Sequence, residues 1–194
     1  MDSLSASAEP LMGTNNVFIS MDEMHREQRK IVSGAFVPGQ MRVATKKIEE
    51  MCLIFQEKID SMIESSEEID AQAEFIRLTV DIIGAMAFDM NFGTIKNGSK
   101  FLEDLTIALE GGGKRMLVPK KFWPYVFRDN SLYYAACETL RQIPKELIEN
   151  RLKQGIEQDD MRDLLQRLLD AKCNGKENLS DEEIINNTML FFVS

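Results

Sequence analysis

Few residues in this chain could do chemistry, and the densest group lies near its start. His25, Arg26, Arg29 and Lys30 crowd six positions, and His25 and Arg29 stand four apart, so on a helix they share one face. A guanidinium presents a forked donor suited to a carboxylate, which a lysine cannot match. Spacing alone favours a plainer reading, a solvated basic face in which Arg26, Arg29 and Lys30 pair with Glu23 and Glu27. Cys52, Cys137 and Cys173 are widely separated and odd in number. No CxxC pair occurs, so neither a disulfide framework nor a cysteine zinc site is supported. One histidine in the whole chain argues equally against His-rich metal sites and most His-based catalysis. At the far end, Leu190, Val193 and Ser194 fall three and four apart on one face of an apolar run, which by itself reads as core.

Composition bounds what these residues could serve. The 194 residues carry 23 basic against 32 acidic side chains, a net charge of −9, which argues against a nucleic-acid partner. With 44% hydrophobic and 28% charged residues the chain is near the globular average, so disordered, collagen-like and coiled-coil classes are excluded. Its length suits one domain or a large piece of a bigger one. Apolar runs such as Met189–Val193 are far short of the ~20 residues a membrane helix needs. The opening MDSLSASAEP has neither a basic region nor an apolar stretch and does not resemble a signal peptide. Composition alone describes a soluble, acidic, intracellular-type domain.

The elements that must position these residues read as almost wholly helical. Residues 1–20 are small and polar and read as loop or a short helical turn. A first helix begins near Met21-Asp-Glu, where acids suit the positive end of the dipole, and ends before Pro38. Over 39–64, Ala44, Ile48, Met51, Phe55, Ile59 and Met62 recur at spacings of three and four, one face of a long amphipathic helix. A third helix near 70–88 has a broad apolar stripe suited to a deep position. A fourth spans 99–110 and stops at Gly111-Gly-Gly113, and 117–130 is an irregular connector with aromatic packing. A long helix over 131–155 has Pro144 as a point of bending. Helical segments at 160–172 and after Ser180 complete the chain, the last opened by a capping box, Ser180-Asp-Glu-Glu183. That last helix turns strongly apolar with no stop signal, as a helix cut in mid-course would. The plainer alternative is a short, complete C-terminal helix packed on the core.

Taken in order, four segments resemble the N-terminal half of a cytochrome P450, a haem-thiolate monooxygenase. DEMHREQRKIVSGAF (22–36) is similar to the family's helix C, W-(R)-x-x-R-(K/R) followed by A-F, with His25 at the tryptophan position and Arg26, Arg29 and Lys30 at the basic ones. TVDIIGAMAFDMNFG (79–93) resembles helix E. KELIENRLKQG followed by RDLLQRLLDA resembles the end of helix G and the stretch beyond it. LSDEEIINNTMLFFVS resembles the first half of helix I.

The resemblance implies an all-α, partial cytochrome P450 fold of about seven helices. Residues 1–194 would be a single partial domain, running from the region before helix C and truncated within helix I. It implies haem (iron protoporphyrin IX), with His25 and Arg29 reaching a haem propionate, and Leu190, Val193 and Ser194 facing the substrate and oxygen pocket. It implies a small lipophilic substrate, electrons from a flavin (NADPH) reductase, and a full-length parent associated with the endoplasmic reticulum membrane. It places no catalytic residue and no metal ligand in these 194 residues. ETLR (138–141) mimics the Glu-x-x-Arg of helix K but precedes the helix G-like and I-like segments, so it reads as a surface i,i+3 ion pair. Cys173-Asn-Gly175 mimics the haem-ligand loop, but Gln166 and Leu169 stand where that loop carries Phe and Gly, so Cys173 reads as a turn cysteine. His25 is excluded as iron ligand because the family uses a thiolate. Without the ligating cysteine loop the chain alone is expected to be inactive. Two further readings are a non-catalytic helical interaction protein, which would bind a reductase or the parent through its first helix, and a non-functional remnant with exposed apolar patches.

Overall fold

The computed structural model describes residues 3–128, 130–154, 163–173 and 179–193, and every regular element among them is helical. Among the described residues nine α-helices appear where the sequence suggests about seven, because two short ones form at positions read as loop and connector.

The first of these is α1 (Ser3–Met12). The polar segment 1–20 has no helical stripe of its own, yet Ala6, Ser7 and Leu11 are buried. The helix is stabilised by what it packs on, the normal situation for a short helix. α2 (Asp22–Ser33) opens with Asp22 and Glu23, buries Gln28, Ile31 and Val32, and tightens into a 3-10 turn at Gly34–Phe36. α3 (Pro38–Glu64) starts on the proline expected at a first helical turn. Its apolar face is only half-buried, Ala44 excepted, because α4 is the main helix laid against it.

α4 (Ala71–Phe88) is capped by Asp70, whose Oδ1 accepts from Ala73 N at 3.1 Å. Lys47 of α3 reaches its other end, donating to Ala85 O at 2.8 Å and Asp89 Oδ1 at 2.6 Å, a cation where the helix dipole is negative. α5 (Lys100–Met116) starts on Ser99 and continues through Gly111-Gly112-Gly113, where the sequence suggests a stop. Gly111 is where α5 meets the next long helix: a Cβ there would lie 2.5 Å from the Tyr133 ring. At Gly111 close packing therefore offsets the ~1 kcal/mol that an interior glycine costs. A 3-10 turn (Lys120–Phe122) and the second short helix, α6 (Trp123–Val126), form the connector. α7 (Asn130–Gln154) runs unbroken through Pro144. α8 (Leu164–Cys173) covers the described part of the segment expected at 160–172.

α9 (Asp181–Val193) begins with the predicted capping box. Ser180 Oγ accepts from Glu183 N at 3.2 Å while Glu183 Oε2 accepts from Ser180 N at 2.8 Å. Ile184 to Met189 are all buried, and α7, α1, α4 and α8 pack around the helix. Phe192 anchors its end among Phe88, Phe92 and Phe101, with centroids 4.5, 5.3 and 5.9 Å away. Burial of such rings is the largest apolar contribution available here.

The ETLR pair is reassigned by this arrangement. Arg141 does not serve a surface pair with Glu138. Its Nη1 donates to Leu11 O at 3.0 Å, and its Nη2 to Asn186 Oδ1 at 3.0 Å and to Glu182. A guanidinium on the inner side of α7 finds better acceptors on the two helices packed against it than one turn away in solvent.

Candidate functional site

His25 and Arg29 stand on one face of α2, His25 half-buried and Arg29 exposed. The pairing of Arg26 and Arg29 with Glu23 and Glu27 does not form, and neither guanidinium makes an ion pair among the described residues. Their forked donors are therefore free for an anion from outside this chain. Behind them Gln28 is buried, with its Oε1 accepting from Ser20 Oγ at 3.3 Å.

Two contacts bring α2 and the end of α9 to one region. Phe36, just after α2, meets Phe191 with centroids 6.1 Å apart. The loop entering α2 is tied to α9 by Val17 N donating to Asn187 Oδ1 at 2.9 Å. That loop is held in shape by Asn16, whose Oδ1 accepts from Phe18 N and Ile19 N. Gly13 lets it begin: its φ is +67°, and a Cβ would lie 2.1 Å from Asn186 Oδ1. Gly13→Ala is thus expected to cost at least ~2 kcal/mol, from backbone strain and from displacing the Asn186–Arg141 bond. Chemical denaturation of the variant measures this, and a change within experimental error would contradict the assigned packing.

Leu190 and Val193 are half-buried at the end of α9, and Ser194 lies outside the described residues. Phe191 of this stretch, which the sequence did not single out, lines a cavity. With Ala35, Phe36, Met41, Met86 and Leu164 it bounds an apolar space of about 70 Å³. A wider groove of about 610 Å³ lies over α1, α6 and α7, lined by charges of both signs, among them Glu9, Lys120, Arg141 and Glu182.

None of the three cysteines joins this region by its environment. Cys52 and Cys173 are exposed, and Cys173 is the last residue of α8, helical where the sequence reads it as a turn cysteine, because the Leu164–Leu169 stripe carries the helix one residue further. Cys137 is buried on α7, and burial pushes its thiol up to about 11, against the weaker opposing effects of a Tyr133 hydrogen bond and of Arg115 and Arg141. A thiol alkylating agent near neutral pH should consequently modify Cys52 and Cys173 and spare Cys137. The same shift works against the fold in alkali. The native thiol keeps its proton where the unfolded one loses it, so stability declines as pH rises from 9.0 towards about 11. Cys137→Ala should flatten that decline, which urea titrations at several pH values would reveal.

Fold and site together define a helical domain built around one central buried helix, with a free cationic edge beside that helix's end. The cytochrome P450 family model matches residues 3–194, and the chain belongs to the cytochrome P450 family. Among curated relatives, it is 28% identical over 134 residues to the bifunctional cytochrome P450/NADPH–P450 reductase ascE of Acremonium egyptiacum, covering 65% of this chain and 12% of that protein. It is 24% identical over 217 aligned positions to cytochrome P450 monooxygenase 128 of Postia placenta, covering 93% of this chain and 38% of that one. Among solved structures, a cytochrome P450, CYP102L1, superposes with a TM-score of 0.79 at 22% identity, covering 98% of this chain and 43% of the other. The cytochrome P450DA haem domain gives 0.74 at 21% identity, covering 97% and 40%. The chain thus spans under half the length of the relatives it matches. The similar folds confirm the all-α, partial P450 architecture expected from the sequence.

The family implies haem, and the residues present fit one end of it. The unpaired Arg29 fork and the half-buried His25 suit a propionate. The three cysteines stand apart from His25 and Arg29 of α2: Cys52 and Cys173 are exposed on α3 and α8, and Cys137 is buried on α7 beside Tyr133.

Proposed function

We propose that this chain forms the helical distal portion of a haem-thiolate monooxygenase, holding a haem propionate at His25 and Arg29. The iron-ligating thiolate would come from polypeptide outside these 194 residues. The match to the family over residues 3–194 carries this reading. Haem, when bound, supplies the oxygen chemistry that inserts one oxygen atom into a lipophilic substrate. Arg29 binds and orients the carboxylate, and His25, one turn earlier, adds a second donor on the same face. Leu190, Val193 and Ser194 would border the substrate at the end of α9. These 194 residues alone would be inactive, because none of their cysteines provides the thiolate.

Sequencing the transcript across the Ser194 codon tests this. The expected continuation encodes Gly-x-(Asp/Glu)-Thr and, further on, a cysteine loop. A stop codon there would rule out monooxygenation and favour the interaction or remnant readings. A flavin reductase is the proposed electron source, supported by the relative whose name joins both activities.

We further propose that the whole protein contacts an anionic membrane, consistent with residence at the endoplasmic reticulum, through residues 111–128. In this acidic chain the segment exposes Lys114, Lys120, Lys121 and Arg128 and holds no acid, its fifth basic residue, Arg115, being buried. Leu117 and Tyr125 are 87% and 85% exposed, and Phe122 and Val126 are exposed beside them. Exposed rings and aliphatics among lysines suit a lipid headgroup region, each basic residue adding roughly 1 kcal/mol. Among the described residues no helix is long and apolar enough to cross a membrane. Flotation with anionic vesicles should carry the protein upward at low salt, and K120E/K121E should release it. Equal behaviour with neutral vesicles would overturn this assignment.

A further inference from the structure

We propose that Asn97 is a site of spontaneous amide loss, converting to aspartate and isoaspartate in the folded protein. The reaction needs a free carboxamide, a following backbone N–H able to reach it, and no β-carbon in the way. Residues 97 and 98 meet all three conditions. Asn97 is exposed in the bend before α5, and its side chain makes no hydrogen bond to any described residue. The next residue is Gly98, also exposed, whose N–H is likewise without a partner among the described residues. No atom lies within 4 Å of the position a Cβ would take on Gly98. Glycine also leaves the backbone freest to bring its nitrogen round.

The step is closed in atoms. Gly98 N gives up its proton to water or hydroxide and bonds to Asn97 Cγ. The Cγ–Nδ2 bond then breaks and ammonia leaves, giving a five-membered succinimide. One water molecule opens the ring at either carbonyl, leaving aspartate or, with the backbone lengthened by one methylene, isoaspartate. Either product adds one negative charge just ahead of Ser99, the residue that caps α5.

Among the described residues the other asparagines lack the combination. Asn91 is exposed, but its Oδ1 accepts from Gly93 N at 2.8 Å and Phe92 follows it. Asn16 is buried with its Oδ1 shared by two N–H groups, and Asn186 and Asn187 are buried in α9. The chain's other Asn-Gly pair, at 174–175, lies outside the described residues.

The test is incubation of the intact, folded protein in ¹⁸O-water at neutral and mildly alkaline pH, with peptide mapping by mass spectrometry. Asn97 should gain the mass of an amide-to-acid exchange with ¹⁸O incorporated, faster at higher pH, while Asn91, Asn16, Asn186 and Asn187 stay unchanged. Asn97→Gln should abolish the signal at that position, and Gly98→Ala should slow it severalfold without altering the far-ultraviolet spectrum. A synthetic peptide spanning 93–101 sets the unrestrained rate. Conversion at Asn97 comparable to the peptide supports the proposal. Conversion of the peptide alone, with Asn97 intact in the folded chain, overturns it, as does equal conversion at Asn91.

Discussion

Asp81→Ala should lower the unfolding free energy by about 3–5 kcal/mol, since a buried donor left without its acceptor costs about 1–3 kcal/mol. Asp81 is 2% exposed on α4, and three donors converge on it. Its Oδ1 accepts from Thr94 N at 3.0 Å and Thr94 Oγ1 at 2.9 Å, and its Oδ2 accepts from Ile95 N at 2.9 Å. Thr94 and Ile95 are themselves buried, so water cannot replace the carboxylate once it is gone. Against a typical total of 5–15 kcal/mol, the loss would take a large share of the stability. Asp81→Asn preserves the oxygen facing Thr94 but turns an amide donor towards Ile95 N. It should fall between wild type and alanine. Urea denaturation monitored by circular dichroism measures both variants. An alanine variant within about 1 kcal/mol of wild type would show that the turn finds other acceptors.

The second large effect belongs to Arg115. It is wholly buried, donating to Gly111 O at 2.9 Å and Asn130 Oδ1 at 2.7 Å. Its guanidinium lies 3.8 Å from the Tyr133 ring centroid and 4.5 Å from that of Phe127, with Trp123 and Tyr134 slightly further off. The side chain thereby fastens the connector to α5 and α7. Arg115→Ala empties this cage and should cost about 3–5 kcal/mol, the range for removing a large core side chain. Arg115→Met refills much of the volume without a buried charge and should recover over half of that loss. Thermal unfolding compares them, together with limited proteolysis at Lys120 and Lys121, which should quicken in the alanine variant. Equal losses for methionine and alanine would mean that the hydrogen bonds, not the packing, carry the effect.

Asp81 also shows how far the sequence could be read. The Asp-Ile-Ile-Gly string within residues 79–93 was legible as part of a family-like segment, but not what its residues touch. Gly84, the string's last residue, passes so near Phe92 that a Cβ would lie 2.7 Å from the ring. Asp81 and Gly84 thus shape the same returning loop, one by accepting its N–H groups and the other by leaving it room. Nothing in the order of residues reveals that the loop folds back there.

The cationic edge was equally half-legible. His25 and Arg29 share a face because a helix repeats every 3.6 residues, which spacing alone establishes. That Arg29 goes unpaired while Arg141 turns inward to Glu182 and Asn186 depends on which helices pack nearby. Spacing does not distinguish Phe191, because which side of the apolar run from Met189 to Val193 meets a cavity depends on the helices placed around it.

By itself, the sequence determined the helical class, the start of α2, the extents of α3 and α4, the capping box opening α9 and the order of the family-like segments. Apolar periodicity and helix caps act within about one turn of chain, so they survive without any knowledge of partners. Only the tertiary structure decided that α1 is a helix, that α5 crosses its glycines, and that Asp81, Arg115 and Arg141 carry buried networks. In each of these, the deciding energy is burial against residues distant in sequence, which outweighs local preference by more than a helix propensity can supply.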